Sequence, residues 1–210
     1  MQNDEILFDI PLRDLNSWRV GGVVDQFYFC TDKEKLSYNL QKRNFKLPIM
    51  FIGLGSNTLF RDGGFRGTII AMHKGLNHIK LEDQLFYAES GVSCSKLAKY
   101  IARLGYANSA FLAGIPGTLG GALAMNAGCY GSETWDFVDK VLTIDQNGIE
   151  HLRKKEEFDI AVPGPLLQLL LGDGAKVVLE GQQVASERLD QLGFSFRYPT
   201  LASALAAATS

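Results

Sequence analysis

Two glycine-rich segments hold the residues whose types and spacing suit ligand chemistry: FIGLGSNTLFRDGGFRG at 51–67 and LAGIPGTLGGALAMNAGCYG at 112–131. In the first, Gly53, Leu54, Gly55, Ser56, Asn57 and Thr58 follow directly on the apolar run 47–52. A buried strand there delivers bare backbone N–H groups and polar side chains at one point, which is what a diphosphate needs. The N–H groups of 54–58 are expected to donate to it, with the Ser56 hydroxyl and the Asn57 amide completing the cradle. In the second segment, Gly114, Gly117, Gly120 and Gly121 sit among small apolar residues. Such a backbone can lie flat against a large planar ring that bulkier side chains would push away. A strand-to-loop turn explains the first segment alone, and close helix packing the second. The pair in this order describes a flavin site.

The elements that must position these loops are readable from periodicity. Residues 23–30 read as a strand, 32–44 as a charged amphipathic helix and 47–53 as a second strand, together one βαβ unit. GTIIAMH at 67–73 supplies a further strand, so residues 1–75 can close a first lobe. A second lobe, 76–160, opens with the strands NHIKLEDQ and LFYAESGV. A helix over 93–105 follows, with Leu97, Tyr100, Ile101 and Leu104 at helical spacing and Gly105 at its end. TLGGALAMNAG predicts a short helix, and Asn147-Gly148 between alternating segments predicts a type I′ hairpin.

Composition narrows the alternatives. At 46% hydrophobic and 21% charged residues with a net charge of −2, the chain is an ordinary globular sequence with no electrostatic case for nucleic acid. No apolar run approaches the roughly 20 residues a membrane span needs, and the acidic start MQNDEILFDI does not read as a signal peptide. The expectation is a cytoplasmic protein. Cys30, Cys94 and Cys129 lack CxxC spacing, against a zinc site or a disulfide framework. One carboxylate in Asp62-Gly63-Gly64 is too few for calcium, and no metal is expected. His73, His78, His151 and Tyr130 read as satisfied core or surface groups. Arg19 and Arg66 could meet phosphate, but an arginine beside a glycine loop is also a common surface residue, and both are left out of the site.

NSWRVGG at 16–22, GLGSNTLFRDGGFRG and GIPGTLGGALAMNAGCYG resemble the UDP-N-acetylenolpyruvoylglucosamine reductase (UDP-N-acetylmuramate dehydrogenase) family, over about residues 5–158. The resemblance implies an α/β (α+β) architecture: a two-lobed FAD-binding fold of the vanillyl-alcohol-oxidase type, here truncated and carrying a short helical tail. It also implies a role for FAD, with Ile115, Pro116 and Gly117 lining the isoalloxazine and Gly121, Ala122 and Asn126 nearby. NADPH is the implied hydride donor. The implied substrate is UDP-N-acetylglucosamine enolpyruvate, reduced to UDP-N-acetylmuramate in peptidoglycan precursor synthesis. The family's arginine in a YRxS segment, its serine proton donor and its C-terminal glutamate have no matching positions, so no catalytic residue is carried over.

Near Ile160 the texture changes to leucine- and alanine-rich, and residues 161–210 read as a helical tail of different origin, with a small strand at FSFRY. From Val162 onward the chain is similar to the C-terminal segment of a short-chain-dehydrogenase-like epimerase family, notably in LLLGDGAKVVLEGQQV and GFSFRYPTLASAL. No GxxGxxG opens the chain, so this tail brings no nicotinamide site. Two further readings stand beside the reductase. One is a catalytically inactive flavin-binding remnant or mis-joined fusion. The other is a related oxidase, disfavoured because no histidine or cysteine adjoins GLGSN to tether a flavin.

Overall fold

Short runs of β-branched and aromatic residues set the first sheet, which the computed structural model, describing residues 4–160, lays out as four strands. β1 (Ile6–Pro11) pairs antiparallel with β2 (Val23–Phe29). After α1 (Lys33–Gln41) come β3 (Ile49–Ile52) and β4 (Phe65–Ala71), and the spatial order is β1-β2-β4-β3. β2 and β3 each run parallel to β4. The expected βαβ unit is therefore split, with β4 inserted between its two strands. The cause is burial: five successive residues of β4, Gly67 to Ala71, are buried, so this strand belongs at the sheet centre where both faces are covered. The Thr68 hydroxyl, also buried there, is satisfied by Gln26 at 2.7 Å and the Lys46 carbonyl at 2.8 Å. β1 had no counterpart in the sequence reading.

β5 (Ile79–Glu82) and β6 (Leu85–Ala88) form a hairpin that leads to α2 (Cys94–Arg103). The Ser93 hydroxyl caps α2 by accepting from the Lys96 N–H at 3.3 Å. Leu97, Ala98 and Ile101 bury with Val92, Phe111, Leu112, Ile115 and Ala122 in one apolar cluster. Leu104, expected on that stripe, stays 46% exposed because the helix stops at Arg103, and Gly105 turns the chain away at φ +88°. α3 (Leu119–Met125) is the short helix expected at TLGGALAMNAG, started by Thr118 and ended by Asn126 in the left-handed region.

After the small ribbon β7 (Gly128–Cys129) and β8 (Ser132–Glu133) comes the hairpin of β9 (Lys140–Ile144) and β10 (Glu150–Lys154). Its turn is not type I′, because only Gly148 has positive φ. The Gly148 N–H donates to the Asp145 carbonyl at 2.9 Å and the Asp145 N–H to the Ile149 carbonyl at 3.0 Å, giving a three-residue loop with a glycine bulge. The Asp145 carboxylate selects it by accepting from the N–H groups of Asn147 (2.8 Å) and Ile149 (2.9 Å). The helices and strand expected in 161–210 lie outside the described residues.

Candidate functional site

β3 ends at Ile52 and the backbone enters the GLGSNT loop with no further strand partner. Among the described residues, the backbone N–H groups of Leu54, Gly55, Ser56 and Asn57 donate to no protein acceptor, while a turn at Ser56–Asn57 draws the Thr58 N–H toward the Gly55 carbonyl. Adjacent unpaired donors at the carboxyl end of a parallel strand make an anion cradle. The rest of the loop holds its shape by contact rather than by bonding. Gly55 has φ +67°, and a Cβ there would run into the Leu15 carbonyl oxygen, with the Asn16 Cα at 2.7 Å. The Ser17 N–H then donates to the Gly55 carbonyl at 3.1 Å, fastening residues 15–17 against the loop.

The two glycine segments meet. A Cβ on Gly53 would collide with the Thr118 hydroxyl, and one on Gly117 would approach only the Ser56 Oγ, at 3.8 Å. Gly117 thus presents bare backbone to open space beside the cradle. Its carbonyl accepts from the Cys94 N–H at 2.9 Å, which ties the loop at 114–117 to the start of α2. A hollow of about 370 Å³ lies here, bounded by Leu54, Ser56, Gly114, Ile115, Pro116 and Gly117, with Ser17, Ser93, Ser95 and Ala113 completing its wall. A second hollow, about 640 Å³, adjoins it through the shared residues Ser17 and Leu54 and is lined by Arg13, Asp14, Leu15, Asn16, Arg19 and His73. Volumes of this size suit an extended organic cofactor.

The structure therefore brings Leu54, Ser56, Gly114, Ile115, Pro116 and Gly117 to one cleft. Gly53 and Gly55 lie behind it as contact points with Thr118 and with residues 15–16, and the Asn57 side chain is exposed beside it. Gly121 takes part in the Thr118 cap of α3, while Ala122 is buried in the apolar cluster. Asn126 is engaged with the following loop: its Nδ2 donates to the Glu133 carboxylate at 2.7 Å, and its Oδ1 accepts from the Trp135 N–H at 3.3 Å.

NSWRVGG at 16–22 carried the resemblance, but the sequence reading gave the arm at 12–22 no structural role. Asn16 organises it, with Nδ2 donating to the carbonyls of Leu12 (2.6 Å) and Val20 (2.8 Å) from a nearly buried position. The available signal was a polar residue four places after Leu12, immediately ahead of the exposed Trp18 and Arg19. His73 also reaches the cleft wall. Burial holds its imidazole below the ordinary histidine range, helped by the neighbouring Lys74 charge and opposed by the Gly53 backbone.

Unpaired amides at the end of a parallel strand, facing a bare glycine backbone across a cleft, fit a diphosphate joined to a flat ring system. A family model described as FAD binding domain matches residues 24–152, and the chain belongs to that family. Its mixed sheet-and-helix architecture is the FAD-binding fold of the vanillyl-alcohol-oxidase type.

Within that class, the chain is 50% identical over 155 residues to the UDP-N-acetylenolpyruvoylglucosamine reductase of Nitrosomonas eutropha, covering 71% of this chain and 47% of the relative. It is 40% identical over 195 residues to the reductase of the same name from Nitrosospira multiformis, covering 91% of this chain and 56% of the relative. The crystal structure of UDP-N-acetylenolpyruvylglucosamine reductase from Thermus caldophilus superposes with a TM-score of 0.63 at 25% identity, over 77% of this chain and 57% of that one. The chain spans about half the length of the curated relatives it matches. Residues 162–208 match a different model, described as a domain of unknown function (DUF1731). Among the described residues no helix is long and apolar enough to cross a membrane.

Proposed function

We propose that this chain binds FAD in the cleft between the two glycine loops and serves reduction of UDP-N-acetylglucosamine enolpyruvate to UDP-N-acetylmuramate in the cytoplasm, in peptidoglycan precursor synthesis. The observation that carries the reading is the run of unpaired N–H groups at 54–57 opposite the bare backbone of Gly117. In this reading residues 1–75 form the diphosphate lobe and 76–160 the ring lobe. The chemistry the cofactor supplies when bound is hydride transfer from NADPH to the enolpyruvyl double bond.

The roles of the chain's own residues follow from their places. The amides of Leu54 to Asn57, with the Ser56 hydroxyl and the Asn57 amide, take the diphosphate charge. Ile115, Pro116 and Gly117 form the wall for the ring and exclude water from its face, with Gly121, Ala122 and Asn126 supporting that wall through α3. No residue of the described chain is assigned as proton donor. A second reading is flavin binding without turnover.

An absorbance spectrum of the purified chain from 300 to 550 nm separates the two readings. Bound flavin that bleaches with NADPH and recovers anaerobically only on adding the enolpyruvyl nucleotide sugar supports turnover. A flavin that never bleaches supports binding alone, and a colourless protein that takes up no added FAD defeats both.

A further inference from the structure

We propose that Arg19, on the arm at 12–22, is the side chain that meets the diphosphate of the bound dinucleotide; this assignment rests on the cofactor reading above. The arm is fixed to the cradle itself. The Ser17 N–H donates to the Gly55 carbonyl at 3.1 Å, and the chain at Leu15 and Asn16 packs where a Gly55 side chain would stand. Arg19 is two residues further on and lines the larger hollow with Ser17 and Leu54.

Three observations single it out. First, its backbone is held at φ +55°, a conformation that costs a branched-chain-free L-residue roughly 1 kcal/mol. The Asn16 amide imposes it by bridging the carbonyls of Leu12 and Val20, and the Arg19 N–H completes the turn to the Asn16 carbonyl at 3.3 Å. Second, no carboxylate among the described residues pairs with Arg19. Arg66, on the far side of the same glycine loop, is by contrast committed to Asp25 at 2.7 Å and to the Gly63 carbonyl at 2.8 Å. Third, the other charged groups on that hollow are Arg13, Asp14 and His73. Arg13 makes no ion pair among the described residues either, but it stands four residues before the Ser17 tie to the cradle, whereas Arg19 stands two residues after it. Arg19 is thus the cation nearer that tie in sequence, and a guanidinium can take two phosphate oxygens at once. Asn16 acts here as a positioning residue, through the arm.

The test is titration of the full-length apoprotein with FAD and, separately, with riboflavin, which carries the ring but no phosphate, following flavin fluorescence. Arg19→Asn is the main variant, since asparagine tolerates the left-handed conformation and keeps the arm's backbone; Arg19→Ala is the second. The expected result is FAD binding weakened roughly 10- to 100-fold, riboflavin binding unchanged, and a shallower salt dependence for FAD, with Arg19→Lys recovering part of the loss. Equal losses for FAD and riboflavin, no loss for FAD, or a diphosphate-specific loss in Arg13→Ala instead, overturns the assignment. Wild-type protein that binds neither flavin overturns the cofactor reading, and this assignment with it.

Discussion

The Thr118 hydroxyl occupies the space that a Cβ on Gly53 would take, with Thr118 Cβ and Cγ2 each 3.3 Å from that position. One threonine thus starts α3, by accepting from the Gly121 N–H at 3.4 Å, and sets the distance between the loop at 53–58 and the loop at 114–117. Gly53→Ala should force the two loops apart and cost about 1–3 kcal/mol, since neither neighbour has free volume to give. Thr118→Ala should cost about 1 kcal/mol by removing the helix cap. The double variant should be more stable than the sum of the singles predicts, because the alanine methyl then enters the space the hydroxyl left. Urea unfolding of the four proteins gives the coupling; strict additivity would show that the loops do not bear on each other here.

Asn16 supports a second prediction. Asn16→Ala should leave the Val20 carbonyl without its donor, and the Leu12 carbonyl with only the Leu15 N–H at 2.9 Å, and cost about 1–3 kcal/mol. Asn16→Asp preserves shape but replaces a double donor with an acceptor facing two carbonyls, so it should destabilise at least as much as alanine. Chemical denaturation of both variants is decisive, and a near-neutral aspartate would mean that the amide does not hold the arm.

These relationships explain which parts of the site the sequence displayed. The strand run at 47–52 and the glycines behind it are local signals, and β3 at Ile49–Ile52 falls within that run. NSWRVGG at 16–22 was legible as a motif, but the tie of the arm to Gly55 was not, because it runs through backbone contact between segments distant in sequence. The insertion of β4 between β2 and β3 was hidden for a similar reason: strand order depends on which strand buries both faces, and β3 reads as apolar as β4 while Phe51 is half exposed. The Asn147-Gly148 pair pointed to a hairpin, but the Asp145 carboxylate decided its turn type. The change of texture near Ile160 was legible as composition and coincides with the separate match at 162–208.

Thiol chemistry gives a third prediction. Cys30 and Cys94 are fully buried, and burial pushes their thiols up to about 12 and about 11. Cys129 is half-buried. Native protein treated with an aromatic disulfide reagent at pH 8 should show Cys129 reacting first, with Cys30 and Cys94 labelled only as the protein opens. Mass mapping of the modified peptides checks the order, and early labelling of Cys30 would contradict the packing of its cluster with Tyr28, Leu36 and Ile70.

His73 makes the pH dependence of stability predictable in sign. Its imidazole is held below the ordinary value of 6.5 by burial and by Lys74, and its buried Nδ1 has no hydrogen-bond partner among the described residues. Above about pH 6.5 both folded and unfolded chains carry it neutral, and it adds no pH dependence. As the pH falls below that value the unfolded chain takes up a proton that the folded chain refuses, so the unfolded state gains free energy and stability declines. The decline continues until the pH reaches the lowered folded value, below which both states are protonated and the loss levels off. Acidic groups with lowered values, such as Asp145 beside His151, also lose stability toward acid, but from an ordinary value of 3.8, so their effect enters at lower pH. His73→Gln should therefore flatten the stability curve between pH 7 and 5 while leaving the steeper fall nearer pH 4 in place. Urea midpoints of wild type and variant across that range measure it. Two parallel curves would mean that His73 takes up its proton equally in both states, and that burial at the cleft wall does not govern its charge.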